Sequence, residues 1–300
     1  MRIALILGLL SHFLVQAPSA HAKVRVVTTI QTFRSLAEEI GGDQVEVTAL
    51  VGESVDPHHV DPRPSHAVTL NKADLLVHVG LDLERGWLPP LLEQARNPKV
   101  RSGEVGNLDA STAGIMVLDA GGAVTRAQGD IHPMGNPHYW LHPDNALRVA
   151  RALAERLKRI DPGQASTYEA RLQAFSNRLA ARRKEWEENA KALAGVKIVT
   201  YHKSWSYLTS WLKLVEIGNI EPKPGVPPDP KHLAELVGSA RSQGAKMVIV
   251  ETYYPRNTAQ RVATLAGMKA VVLPSDAGGK ERSYFALVDK IVTELVAAVR

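Results

Sequence analysis

The stretch "DPGQASTYEARLQAFSNRLAARRKEWEENAKALAG", residues 161 to 195, lies near the middle of a 300-residue chain and decides how the rest is divided. Asp161 and Pro162 form a typical helix start, because Asp caps free backbone N–H groups and Pro fits the first helical position. Apolar side chains then recur at intervals of three, four or seven residues, which predicts one helix as far as Ala194. Such a helix is about 50 Å long. Because few helices within one domain reach that length, we expect it to bridge two lobes.

Short β-rich runs alternate with helical patterns on both sides of this helix. On the N-terminal side the pattern predicts strands at 24–30, 45–51, 74–80 and 114–120, and helices at 32–42 and 65–73. On the C-terminal side it predicts strands at 196–202, 245–252 and 269–273, and helices at 229–244, 257–267 and 283–300. Alternation of this kind is typical of parallel sheets. We therefore predict an α/β fold of two similar lobes, each a mainly parallel sheet flanked by helices: an N-terminal lobe at 23–160, the linking helix at 161–194 and a C-terminal lobe at 195–300.

The first 22 residues have the features of a secretory signal peptide. Arg2 precedes an apolar run that is too short to cross a bilayer, and Ala20-His21-Ala22 has the pattern of a cleavage site. We expect cleavage after Ala22 and a periplasmic protein. The chain contains no cysteine, from which we expect that it is not a lipoprotein and has no thiolate metal site. Its basic residues are dispersed, so we expect neither nucleic-acid binding nor direct membrane insertion.

Without thiols, a zinc site must be built from histidines and carboxylates. Three histidines lie close together in "GDIHPMGNPHYWLHPDN", residues 129 to 145. His138 and His142 have the spacing of the HExxH zinc-protease motif, but Tyr139 stands where that motif requires Glu. Pro143 also disfavours a helical conformation at the residue before it. A protease helix is therefore not expected here.

Two further candidate segments follow predicted strands. The segment "SVDPHHVDPRPSH" (54–66) contains the neighbours His58 and His59, of which only one is expected to face a given site, because side chains alternate in an extended backbone. His202 ends a predicted strand in "VTYHKSWSYL". Loops that follow parallel strands are where α/β proteins place ligands, so both segments are candidates for a site between the lobes.

Asp276 follows the last predicted strand in "LPSDAGG", where a turn or cap residue is the alternative interpretation. The four candidate ligands lie in four different loops, two from each lobe: Asp276, His138, His202 and one histidine of the pair at 58 and 59. Three imidazoles and one carboxylate form a complete tetrahedral set for Zn²⁺ and leave no open position for a catalytic water. The sequence thus predicts metal binding in the inter-lobe cleft and no catalysis.

Taken together, these motifs resemble the periplasmic solute-binding proteins of zinc and manganese ABC transporters. The resemblance covers the whole mature chain and rests on "VDPHHVDPRPS", "GNPHYWLHPDNA", "VTYHKSWSYL", "IEPKPGVPPDPKHLAELV", "VETYYP" and "LPSDAGG". It implies two α/β lobes joined by one long rigid helix. It also implies a metal-ligand set in which the first histidine is His58 and not its neighbour: His58, His138, His202 and Asp276.

The chain departs from the family pattern in two places. Many zinc-specific members carry a long loop rich in histidine and acidic residues before the second ligand, whereas residues 121–136 hold the single histidine His132. Any accessory capture site there should be slight. His142 stands where the family commonly has Asp, so it is a further candidate donor. Glu251 ends a predicted strand and is a candidate acceptor that orients an imidazole.

The resemblance implies a monomeric protein that captures Zn²⁺ with high affinity and delivers it to a membrane permease driven by a cytoplasmic ATPase. Three imidazoles favour Zn²⁺ over Mn²⁺, which prefers more oxygen donors. A manganese-binding protein of the same family is the alternative. An exported zinc hydrolase with Asp276 or Glu251 as general base is a second alternative, but no nucleophile elbow, HExxH or paired-carboxylate motif supports it. We therefore expect that the chain is not an enzyme.

Overall fold

The computed structural model describes residues 22–121, 132–279 and 282–300. The predicted signal peptide lies outside the described residues, except for Ala22. Within the described part, the chain forms two four-stranded sheets. None of the described helices combines the length and the apolar content that crossing a membrane requires.

The N-terminal lobe is built on a parallel sheet with the order β2-β1-β3-β4. Its strands are β1 (Val24–Thr28), β2 (Val45–Ala49), β3 (Leu75–His78) and β4 (Asn107–Asp109). Its helices are α1 (Gln31–Gly41), α2 (Pro64–Asn71), α3 (Leu88–Ala95) and α4 (Pro143–Ile160). Val26, Leu75 and Val77 are fully buried, as expected for a parallel sheet that helices cover on its faces.

The C-terminal lobe repeats this topology with the order β6-β5-β7-β8, again with all strands parallel. Its strands are β5 (Lys197–Thr200), β6 (Val215–Asn219), β7 (Met247–Glu251) and β8 (Lys269–Leu273). The linking helix before them is α5 (Ala165–Asn189). The helices of this lobe are α6 (Ser206–Leu212), α7 (Pro230–Gln243), α8 (Arg256–Ala266) and α9 (Tyr284–Val299). The prediction of two similar α/β lobes is confirmed, while the exact boundaries given for them stay predictions.

Helix α5 connects the two lobes and packs against both. It has 25 residues, with single 3₁₀ turns on either side at Pro162–Gln164 and Lys191–Leu193. Phe175 packs against Phe285 of α9 with the rings tilted and their centres 5.5 Å apart, and the indole N–H of Trp186 donates to Asp289 of the same helix at 2.6 Å. One continuous buried apolar cluster includes residues of β1, α5 and β8. The linking helix is thus part of the core that joins the lobes.

Three local predictions differ from the structure. The strand predicted at 114–120 is wrong: this segment is largely exposed, and the side chains of Asn145 and Tyr207, not a neighbouring strand, accept hydrogen bonds from the N–H groups of Met116 and Leu118. Strand β6 was not predicted, because "VEIGN" is a partly exposed edge strand with little apolar pattern. Helix α3 was not predicted either, because it starts with two prolines, which the first helical turn tolerates.

Candidate metal centre

Three of the predicted ligand residues come together between the two lobes. One ring nitrogen from each of His58, His138 and His202 lies within 4.8 Å of the other two, and all three residues are buried. Their ring centres are 5.2, 5.2 and 5.5 Å apart. Imidazoles that share one zinc ion at about 2.0–2.1 Å with tetrahedral angles have ring centres on the order of 5 Å apart. The arrangement therefore fits a single small divalent ion.

His58 is oriented by the residue two positions before it. The Asp56 carboxylate accepts hydrogen bonds from the backbone N–H of His58 at 2.9 Å and from its Nδ1 at 2.7 Å. The intervening carbonyl, that of Pro57, accepts from the indole N–H of Trp87 at 2.9 Å. A side chain that closes such a local turn is typical of Asp and Asn. Because Nδ1 carries the proton, the lone pair of Nε2 is left for the cluster.

The segment Asn136-Pro137-His138 repeats this device. The amide oxygen of Asn136 accepts from the backbone N–H of His138 at 3.0 Å and from its Nδ1 at 2.9 Å. An amide oxygen can only accept, so Nδ1 of His138 must be the donor. The Nε2 atoms of His58 and His138 are buried and have no hydrogen-bond partner among the described residues. Two buried lone pairs thus point to a ligand that accepts electron density.

His202 lies just beyond β5 and belongs to the C-terminal lobe. Its Nδ1 donates to the buried carboxylate of Glu221 at 2.7 Å, and the N–H of Gly225 donates to the same oxygen at 3.0 Å. All three histidines therefore have Nδ1 held by an oxygen acceptor, which fixes the tautomer that metal binding through Nε2 requires.

The electrostatics of the cluster favour a neutral imidazole at His138 and an ionised carboxylate at Asp56. Burial, together with the charges of the neighbouring histidines, holds the pKa of His138 well below its usual value. Burial opposes ionisation of Asp56, but the hydrogen bonds and the charge of His58 outweigh it and lower the pKa of Asp56 to about 2. The site can thus offer a neutral nitrogen donor at His138, with a negative charge next to His58.

Asp276 is not part of the group of three, and its carboxylate is bound to the start of α1. One carboxylate oxygen accepts from the N–H of Thr32 at 2.6 Å and from the hydroxyl of Thr32 at 2.5 Å. The same oxygen accepts from the N–H of Ala277 at 3.0 Å. The other oxygen accepts from the N–H of Gln31 at 2.9 Å. Desolvation raises the pKa of Asp276, although these hydrogen bonds oppose the rise. The residue thus caps a helix of the opposite lobe, and its role as a ligand stays a prediction.

The other candidate donors lie in different settings. His59 is exposed, and His142 accepts the N–H of Asp144 at 3.2 Å as the cap of α4. Glu251 forms no hydrogen bond to an imidazole in the described part of the chain, and Glu221 takes the orienting role considered for it. His132 has its ring centre 5.3 Å from that of His58 and lines the same cavity, of about 200 Å³, as His138 and His202.

Sequence reasoning did not identify the orienting acceptors Asp56, Asn136 and Glu221. The first two carry a local signal, since Asp-Pro-His and Asn-Pro-His place an Asx side chain two residues before each ligand. Glu221 carries none, because it lies 19 residues after His202 and approaches it only through the pairing of β5 with β6.

The fold and the cluster can now be compared with known proteins. A family model described as "ZnuA: Zinc-uptake complex component A periplasmic" matches residues 26–298. A crystal structure of a ZnuA deletion mutant with zinc bound has a TM-score of 0.78 and 27% identity, covering 92% of this chain and 98% of that one.

Two curated relatives come from streptococci. The zinc-binding lipoprotein AdcA of Streptococcus pneumoniae serotype 4 is 26% identical over 85% of this chain and 50% of its own length. The manganese ABC transporter substrate-binding lipoprotein ScaA of Streptococcus gordonii is 30% identical over 57% of this chain and 52% of its own length. The chain thus spans about half the length of the curated relatives it matches.

These names correct one prediction and confirm another. Both relatives are named as lipoproteins, which contradicts the expected location as a periplasmic protein that is not a lipoprotein, and that prediction is wrong. The prediction rested on the absence of cysteine from this sequence. That absence gives no information on the location of relatives with the same fold. The family and its relatives are binding proteins, which confirms the prediction that the chain is not an enzyme. The match over residues 26–298 places the chain in the family of ZnuA, the zinc-uptake complex component A.

Proposed function

We propose that this protein is the substrate-binding component of a metal ABC transporter and that its cargo is Zn²⁺. The observation that carries the proposal is the group of three buried histidines, each with Nδ1 held by an oxygen acceptor. In this proposal His58, His138 and His202 bind the ion, and Asp276 is the ligand predicted from the sequence for the fourth position. The protein acts as a monomer that releases the ion to a membrane permease coupled to an ATPase.

The donor set supports zinc over manganese. Three imidazole nitrogens suit Zn²⁺, whereas Mn²⁺ prefers a larger share of oxygen donors. The relatives named above include one zinc binder and one manganese binder, so family membership alone does not choose between the two ions. The choice of zinc therefore depends on the nitrogen-rich cluster of this chain.

The proposal is tested by measuring zinc affinity in the wild type and in His138→Ala. We expect wild-type protein purified without chelator to contain one Zn²⁺, and Mn²⁺ to compete poorly for it. His138→Ala should bind zinc at least about tenfold more weakly, because it removes one donor from the cluster. Competition against a chromogenic chelator of known affinity gives both constants.

His66→Ala is the matched control. His66 lies in the first turn of α2, and its ring nitrogen accepts the N–H of Arg63, away from the cluster. Its loss should leave zinc affinity unchanged. Wild-type affinity in His138→Ala, or tighter binding of Mn²⁺ than of Zn²⁺ by the wild type, would contradict the proposal.

A further inference from the structure

A fourth histidine, His132, lies next to the cluster and is not one of the three proposed ligands. The ring centre of His132 is 5.3 Å from that of His58, a spacing like those within the group of three. His132 also lines the cavity that His138 and His202 line. Among the described residues that line this cavity, it is the one imidazole outside the group of three.

The backbone around Leu81 holds His132 in one tautomer. Nδ1 of His132 lies 2.8 Å from the carbonyl oxygen of Leu81. Because a carbonyl oxygen can only accept, Nδ1 is the donor and the lone pair is on Nε2. His58, His138 and His202 are held in the same way, so His132 has the same preparation for binding a metal.

The turn that presents this carbonyl has an uncommon conformation. Gly80, Leu81 and Asp82 have φ angles of 76°, 50° and 65°, a region that non-glycine residues seldom adopt. The buried carboxylate of Glu84 holds the turn by accepting the N–H groups of Val79 at 2.7 Å and Gly80 at 3.1 Å. Residues that the surrounding structure forces into such conformations cluster at ligand sites. The left-handed turn thus places an acceptor against His132.

Charge compensation at the cluster also permits a neutral fourth donor. Asp56 and Glu221 are already bound to two of the ligand imidazoles, so their two negative charges balance a divalent ion. Asp276 accepts three hydrogen bonds from the start of α1 and one from Ala277, and like His132 it lies outside the group of three. A fourth imidazole would complete the coordination without taking Asp276 from the helix that it caps.

Resting on the proposed function, we propose that His132 supplies the fourth nitrogen donor to Zn²⁺, so that the ion is bound by four imidazoles in this arrangement of the lobes. An all-nitrogen site discriminates against Mn²⁺ more strongly than a site with one carboxylate. His132 is therefore a residue that determines metal specificity. His132 lies outside the group of three, so its ring must shift within the shared cavity to reach the ion.

X-ray absorption at the zinc edge tests the proposal, because multiple scattering counts the imidazoles on the ion. We expect four imidazoles in the full-length wild type loaded with one Zn²⁺, three in His132→Ala and in His132→Asn, and four in Asp276→Asn. Chelator competition should show zinc bound about tenfold or more weakly by both His132 variants, with Mn²⁺ binding weakened much less. Two substitutions at this loop position guard against a folding defect, which thermal unfolding of the metal-free variants detects.

His59→Ala is the matched control, since His59 is a neighbouring histidine that is exposed and whose ring centre lies 6.3 Å from that of His58. It should leave both the imidazole count and the affinity unchanged. Three imidazoles in the wild type, or an unchanged count in the His132 variants, would overturn the role of His132 and leave the proposed function standing. Absence of zinc binding by the wild type would overturn both.

Discussion

Each histidine of the cluster is oriented by an oxygen atom that accepts a hydrogen bond from its Nδ1. A neutral imidazole has one donor and one acceptor nitrogen, and an oxygen acceptor at Nδ1 leaves Nε2 as the ligand. At His58 and His202 the acceptor is a carboxylate, and at His138 it is the amide of Asn136. The carboxylates make their imidazoles stronger donors and compensate the charge of the ion. Orientation and charge at the cluster are therefore set by residues outside the group of three histidines.

The Glu221→Gln variant isolates this effect. It keeps the size of the side chain but removes the charge behind His202, so we expect zinc affinity to fall by about tenfold. Chelator competition measures the change. The control is Glu216→Gln on β6, where the carboxylate accepts hydrogen bonds from Asn219 and Thr200 and from no imidazole among the described residues. Equal losses in the two variants would mean that the effect is general and not transmitted through His202.

Because Glu251 is buried, we predict that the free energy of unfolding of the metal-free protein depends on pH. Burial raises its pKa to about 8 from an ordinary value of 4.5, so the folded protein holds a proton that the unfolded chain has lost between these two values. The contribution of this group to stability should be fully present below pH 4.5 and decline as the pH rises towards 8, by on the order of 4 kcal/mol at pH 7.5.

The Glu251→Gln variant should lack this decline between pH 5 and 8. Urea unfolding of the metal-free protein at several pH values measures it. The exposed Glu188→Gln variant should keep the wild-type profile. The assignment fails if the wild type and Glu251→Gln show the same slope with pH.

At the scale of elements, a residue of the C-terminal lobe caps the first helix of the N-terminal lobe. Helix α1 has no capping side chain of its own, since Ile30 occupies the cap position. The cap comes from Asp276 after β8, which accepts the N–H groups of Gln31 and Thr32. A negative charge is favourable at a helix N-terminus, where N–H groups lack partners. One residue of the C-terminal lobe thus completes a helix of the N-terminal lobe.

Asp276→Ala should destabilise the metal-free protein by about 1–3 kcal/mol, because it leaves backbone N–H groups of α1 without their acceptor. Denaturant unfolding in the presence of a chelator measures the loss. Asp229→Ala, which removes the local cap of α7, is a matched control with an effect of about 1 kcal/mol. Unchanged metal-free stability in Asp276→Ala, with weakened zinc binding, would show that the residue is a ligand and not a cap.

At the scale of the whole molecule, the cluster lies where contacts between the lobes converge. The amide N–H of Asn136 donates to the carbonyl of Lys203 at 2.7 Å, beside His202. The indole N–H of Trp140 donates to the carbonyl of Ser275 at 2.7 Å. The same residue, Asn136, orients His138, so the orientation of a ligand in one lobe is coupled to the backbone of the other. Binding of an ion between the lobes should therefore stabilise the whole fold.

Zinc should raise the thermal unfolding midpoint, with a gain of about 2.7 kcal/mol when free zinc is 100 times its dissociation constant. The gain should fall below about pH 6.5, since protonated imidazoles do not bind metal. His138 should stay neutral to a lower pH than a free imidazole, because burial and the neighbouring histidines lower its pKa. Calorimetric scans with zinc or with chelator at pH 7.5 and 5 measure this. A gain that does not change with pH would contradict binding through imidazoles.

The two-lobe architecture and the candidates His138 and His202 could be predicted from the sequence pattern, whereas the choice of His58 over His59 came from the family resemblance. The periodicity of residues 161–194, flanked by alternating strand and helix patterns, is a local signal, and so are the Asx-Pro-His segments at His58 and His138. Edge strand β6 and the extended segment 114–120 escaped prediction, because exposure on one side leaves a pattern that periodicity does not resolve.

Only the tertiary structure decided which residues stand behind and beside those histidines. Glu221 reaches His202 through strand pairing, the carbonyl of Leu81 reaches His132 through a left-handed turn, and Asp276 reaches α1 across 244 residues of chain. Such contacts leave no mark in sequence spacing, since they depend on where two lobes place their loops once both have packed against α5. Local patterns specify elements, whereas the acceptors and caps of this centre exist only after the elements are assembled.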